Sequence, residues 1–226
     1  MTSSIDHLGT GFFDAHQRRT VAAAMARMIP TDDTPGAREA GTVDFVDRYL
    51  AGLGAIYAKP DGSGFETLEG RQAWAWQQRI DSLRGTYAAG IAALDRYSRD
   101  MYGADFADLP DSDQDAALRA LESGAGPGAA GIAQEQVIRH GGPIEPALQQ
   151  TSTETKLDFV PLLAMHTRQG FYADPIYGGN RGRVGWDVIG FPGPASLADV
   201  HTGRYSVLDY FADDRRHPGQ QDHPDG

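Results

Sequence analysis

Residues 170–194 read GFYADPIYGGNRGRVGWDVIGFPGP, and the rest of the chain is best read outward from them. Seven glycines and three prolines in these 25 residues exclude one continuous helix, since Gly costs about 1 kcal/mol and Pro about 3 kcal/mol at a helix-interior position. The stretch is expected to be a long loop. Loops longer than about 12–15 residues without structure of their own are uncommon in compact domains, and usually bind something, close over a site or serve as disordered linkers. Phe171, Tyr172, Tyr177, Trp186 and Phe191 argue against a linker, because disordered segments are poor in aromatics. The loop is therefore expected to pack. Gly178, Gly179 and Asn180 form a turn in which positive φ is cheap.

Upstream, the chain reads as helical. Residues 15–29 follow Asp14 as a helix N-cap and place Val21, Met25, Met28 and Ile29 on one face, with a stop near Pro30. Arg18-Arg19 ahead of an apolar run could be taken for a twin-arginine export signal, but the run at 21–26 is six residues, short of the roughly 7–15 of a signal core. The expectation is a folded helix with no signal peptide, and a cytoplasmic protein or one exported only with a partner. Residues 41–53 put Val43, Phe45, Val46, Tyr49, Leu50 and Leu53 on a broad apolar face. A turn-rich segment at 59–64 precedes a longer helix over 67–101, with Leu68, Trp74, Ile80, Leu83, Tyr87, Ile91, Leu94 and Tyr97 facing inward and Gly85 and Gly90 marking a kink or a close helix crossing. Asp111 or Ser112 caps a short helix to Leu121, closed by Gly124. A last long helix starts at Thr153 or Thr155 and buries Leu157, Phe159, Val160, Leu163 and Met165, with Pro161 either at a kink or in the first turn. A further short helix is expected around 205–211.

The chain has 226 residues, no cysteine and a net charge of −11, from 31 acidic against 20 basic residues. Length suits one domain, or a domain with an extension, large enough to bury its own core. Disulfides, iron–sulfur ligation and thiolate zinc sites are excluded. Phosphate backbones and anionic membranes would be repelled, and no apolar run nears the roughly 20 residues that span a bilayer. Residues 1–11 are expected to be flexible, 12–212 to form the helical domain, and 213–226 to be a disordered tail.

Chemical motifs are sparse. Gly126, Gly128 and Gly131 fit the dinucleotide-binding G-x-G-x-x-G pattern, but no strand precedes them. The seven histidines lack metal-binding spacing; His166 is expected to be packed or hydrogen-bonded rather than catalytic. Asp32 and Asp33 either bind a cation or serve a turn and helix cap. Asp174 and Asp187 could act as a carboxylate pair on a sugar stacked on Tyr177 or Trp186, yet Asp174 before Pro175 is also an ordinary turn opener. Arg181 and Arg183 are candidates to pair with these aspartates or with a partner.

The run at 170–180, followed by Gly185-Trp186 and Gly190-Phe191-Pro192-Gly193, resembles the C-terminal signature of the gluconate 2-dehydrogenase subunit 3 family; residues 29–37 resemble its N-terminal signature. The resemblance implies an accessory small subunit without chemistry of its own, supporting a flavoprotein large subunit of the glucose-methanol-choline type that holds FAD and the catalytic residues. A cytochrome c subunit is a further candidate partner. On this reading the chain carries no cofactor or metal, and the partner-facing residues are Asp174, Tyr177, Gly178, Gly179, Asn180, Arg183 and Trp186. The alternative is a small stand-alone carbohydrate-binding or glycoside-processing protein using Asp174, Asp187 and the loop aromatics. The expected fold is mainly α, a single domain of five or six helices with a long C-terminal loop.

Overall fold

A computed structural model describes residues 11–124 and 154–206. The dinucleotide-like glycines, the tail at 213–226 and most of the 205–211 segment lie outside these residues. Among the described residues there are seven helices and no strand ladder; the turn expected at 59–64 is closed by a single antiparallel bridge, Ala58 to Phe65. Five helices carry the core: α1 (Ala15–Met28), α2 (Thr42–Ala51), α3 (Gly70–Tyr102), α4 (Asp111–Glu122) and α5 (Phe159–Tyr172). Two five-residue helices follow, α6 (Val184–Val188) and α7 (Leu197–His201).

Helix α1 starts where the sequence places it. Asp14 accepts from the Gln17 N–H at 2.8 Å, and the Gln17 side chain accepts from the Asp14 N–H at 3.1 Å, a reciprocal box that satisfies two otherwise orphaned donors. Its buried face, Val21, Ala24 and Met25, packs with Val46 and Leu50 of α2 and with Leu162 and Leu163 of α5 in one core. Phe13 and Arg18 bind Asp47 from the other side, and Arg18 also pairs with Asp44.

Helix α3 is unbroken across 33 residues. Ile80, Leu83, Tyr87, Ile91 and Leu94 are buried, whereas Trp74, expected inside, is 68% exposed, and Leu68 is buried ahead of the helix rather than within it. Gly90 marks the close crossing: a Cβ there would lie 2.0 Å from Cγ of Phe159, the first residue of α5. Gly85 marks nothing, with open space around it.

Three helix ends differ from expectation. Pro110 is the N-cap of α4, with Asp111 and Asp113 in the first turn, where carboxylates favour the positive end of the helix dipole. The segment at 154–156 forms a separate 3-10 turn, and α5 begins only at Phe159, so Pro161 sits in its first turn, where a missing N–H costs no helical bond. Residues 170–172 belong to the end of α5, and α6 lies inside the stretch expected to be irregular. Helix α7 was not anticipated; Tyr205 and Ser206 are not helical.

The two glycines of α3 separate packing from propensity. Gly85→Ala should raise stability by about 0.5–1 kcal/mol through helix propensity. Gly90→Ala should instead lower it by about 1–3 kcal/mol, because overpacking Phe159 outweighs that gain. Thermal unfolding of the two variants beside the parent checks this; equal shifts would mean the α3–α5 crossing is looser than described.

Candidate functional site

The C-terminal end of α5 leaves backbone carbonyls that the helix itself cannot satisfy. Two side chains of the following stretch take them. Asn180 donates from Nδ2 to the Ala173 carbonyl at 2.9 Å, and Trp186 donates from Nε1 to the Tyr172 carbonyl at 2.8 Å. Asn180 also accepts the Gly185 N–H at 2.8 Å, which fixes the start of α6. Its backbone is left-handed, φ 49°, as expected for this turn, and its side chain is fully buried. Two glycines let the backbones meet: a Cβ on Gly179 would lie 2.1 Å from the Gly170 carbonyl oxygen, and one on Gly185 would lie 1.9 Å from that of Phe171. No other residue fits at either position.

Asp174 opens the turn in the manner of an Asx turn, its carboxylate accepting the Ile176 N–H at 2.9 Å. Tyr177 is half-buried, edge-on to Phe65, and its hydroxyl accepts the Ala58 N–H at 3.3 Å. Arg183 stacks its guanidinium 5.5 Å from the Trp186 ring centroid and donates to the Ala195 carbonyl. Arg181 reaches back 137 residues to Asp44, and its N–H donates to the Ala40 carbonyl at 2.9 Å. Neither arginine is bonded to Asp174 or Asp187, contrary to one expectation. Trp186, only 5% exposed and edge-on to Phe191, is held within the chain itself.

Beside this loop, a cleft of about 520 Å3 opens between α2, the N-terminal third of α3 and the end of α5. Tyr49, Trp76, Tyr172 and Tyr177 are among its walls, and Asp174 faces it. Asp187 is not part of it; it lies exposed on α6, so the two aspartates do not line one pocket. The inner end of the cleft is an Arg79–Glu154 ion pair. Behind it stands His166, fully buried, with Nε2 2.5 Å from Glu154 Oε1 and Nδ1 2.8 Å from the Tyr87 hydroxyl.

This arrangement fits a neutral imidazole carrying its hydrogen on Nε2, donating to Glu154 and accepting from Tyr87. Burial pushes the His166 pKa down to about 3, and the nearby Arg79 guanidinium pushes the same way. Glu154 faces the ring, but Arg79 balances its charge. Burial likewise raises the Tyr87 and Tyr49 phenols. His166 is thus hydrogen-bonded and packed, as the sequence reading expects, while Arg79, Glu154 and Trp76 were missed. Trp76 had a findable signal, since it precedes Ile80, Leu83 and Tyr87 at steps of four, three and four. Arg79 and Glu154 had none.

Asp32 also proves to be a turn residue, its Oδ1 accepting both the N–H and the hydroxyl of Thr34 at 2.9 Å; no helix follows directly. Among the described residues no cluster of three or more His, Asp or Glu could hold a metal.

The family described as gluconate 2-dehydrogenase subunit 3 matches residues 15–193, from the first residue of α1 to beyond α6. No curated protein and no solved structure matches the chain.

Two measurements check the site. With a folded pKa near 3 against about 6.5 unfolded, the unfolded state binds the extra proton between those values. The contribution of His166 is therefore complete above about pH 6.5 and is lost as pH falls towards 3, with a slope of up to about 1.4 kcal/mol per pH unit in mid-window. Its ring resonances should stay fixed between about pH 5 and 8 in an NMR titration; movement there would show a charged imidazole. Trp186→Ala should cost the isolated chain about 3–5 kcal/mol of folding stability, read by denaturant unfolding. A loss below about 1 kcal/mol would show that Trp186 does not seal the end of α5.

Proposed function

The chain belongs to the gluconate 2-dehydrogenase subunit 3 family, and from that membership we propose that it is the small, non-catalytic subunit of an FAD-dependent sugar or polyol dehydrogenase. In this reading it binds a flavoprotein large subunit of the glucose-methanol-choline type and supports the folding and stability of that subunit. FAD and the reacting groups belong to the large subunit, and a cytochrome c subunit is a candidate third component. The reading rests on the extent of the family match, residues 15–193. It spans the five core helices and the loop that closes α5.

The chemistry of the loop supports the same reading. Three of its four charged side chains make contacts within the chain: Asp174 in a turn, Arg181 on Asp44, and Arg183 on Trp186 and the Ala195 carbonyl. A glycosidase would need two carboxyls facing one substrate about 5–9.5 Å apart, and only Asp174 of the pair faces the cleft. Binding energy at interfaces concentrates in a few Trp, Tyr and Arg anchors. Within the loop, Tyr177 and Arg183 keep accessible surface, and Val188 and Ile189 at the end of α6 are 41% and 54% exposed. We assign the partner surface to these accessible side chains, with Asp174 and Gly178 beside Tyr177. Gly179, Asn180 and Trp186 shape it from behind. No described helix is long and apolar enough to cross a membrane.

Co-expression of the tagged chain with a flavoprotein large subunit from the same host tests the proposal. The expected outcome is co-elution, with flavin absorbance following the large subunit and a colourless isolated chain. Tyr177→Ala with Arg183→Ala should weaken the complex by about 2 kcal/mol or more while the free chain stays folded. A stoichiometric flavin on the purified single chain would overturn the assignment, and undiminished affinity of the double variant would move the interface off the loop.

A further inference from the structure

The cleft beside the loop shares only its rim, Tyr177 and Asp174, with the partner surface proposed above, and its lining is selective. Its volume, about 520 Å3, falls within the roughly 300–1,000 Å3 of ordinary small-ligand sites. Its charges disfavour an anion. The Arg79 guanidinium lies 4.8 Å from the Trp76 ring centroid, so the face of that ring already holds a cation. Arg79 and Glu154 balance each other, and Asp174 adds one negative charge to the lining, which repels an anion. A wholly apolar ligand is disfavoured too, because it would strip water from the Gln169 amide, the Asp174 carboxylate and the ion pair without replacing their hydrogen bonds.

An uncharged ligand with one apolar face and several hydroxyls meets both demands. We propose that this cleft binds a neutral polyhydroxylated ring, a cyclic sugar or cyclic polyol. The C–H face of the ring lies against the aromatic wall, where Tyr172 is 41% exposed. Its hydroxyls donate to Asp174 and Glu154 and accept from the Gln169 amide. The inner end is rigid for this purpose, since both Glu154 oxygens are already held, one by His166 and the other by Arg79, so the acceptor geometry is set before a ligand arrives. This site is separate from the face assigned to the partner, apart from the shared rim at Tyr177 and Asp174.

The full chain would be titrated with methyl β-glucopyranoside and with myo-inositol by saturation-transfer NMR, with tetramethylammonium, benzoate and phenol as comparators. The expected result is saturable, millimolar binding of at least one polyol, weakened about fivefold in Gln169→Ala and at least as much in Tyr172→Ala. Both residues are exposed on α5, and unchanged melting temperatures of the variants would show that the fold stands. Absence of saturation by either polyol, equal affinity in parent and both variants, or saturation by the comparators alone would overturn the proposal. Co-purification reads the partner assignment separately, so either idea can fail without the other.

Discussion

The end of α5 is the constraint on which the rest of the molecule depends. A buried helix terminus with unsatisfied carbonyls is costly, at about 1–3 kcal/mol for each orphaned group. Here the donors come from a side-chain amide and an indole brought in by the next fifteen residues, Asn180 to Ala173 and Trp186 to Tyr172. The glycines at 179 and 185 exist in service of that approach, since any Cβ would collide with the helix backbone. A stretch that reads as irregular is therefore closely determined. Its conformation is dictated by the helix end that it covers.

A second polar system ties the core to the surface. Tyr87 in the middle of α3 bonds His166 in α5, His166 bonds Glu154, and Glu154 pairs with Arg79 two turns back along α3. Each member satisfies the next, which is what lets a carboxylate at 5% exposure remain in the fold. Removing one partner of such a buried pair typically costs about 3–5 kcal/mol. The inner wall of the cleft and the α3–α5 packing are thus one construction. Tyr87 stacks parallel to His166 at 5.7 Å and meets Phe159 edge-on at the same distance, so the Gly90 crossing belongs to it as well.

Much of this architecture can be read from local sequence, and what cannot has a physical reason. The Asp14 cap, the stop before Pro30, the Asp174 turn and the left-handed Asn180 all follow from interactions within four residues, and all are found. Trp74 was misplaced because six residues before Ile80 is about 120° round a helix, whereas Trp76 stands on the same face at a step of four. The ends of α4 and α5 shifted because prolines take N-terminal helix positions that Asp or Thr also favour. Arg181 on Asp44 and Arg79 on Glu154 join residues far apart in sequence, and nothing local announces them. Whether Trp186 serves core or surface could not be decided from composition, because a buried and an interfacial indole look alike in a glycine-rich stretch.

The bond from the Arg181 N–H to the Ala40 carbonyl, with the Arg181–Asp44 pair beside it, has a bearing on biosynthesis. It joins the start of α2 to a segment made some 140 residues later on the ribosome. Helices α1 and α2 can form early as local structures, but their shared surface is completed only by α5 and the loop behind it. Contacts of such separation form more slowly than local ones, because the chain between them must be closed before the contact rewards it. Tertiary closure around the start of α2 therefore has to wait until the segment carrying Arg181 has left the ribosome.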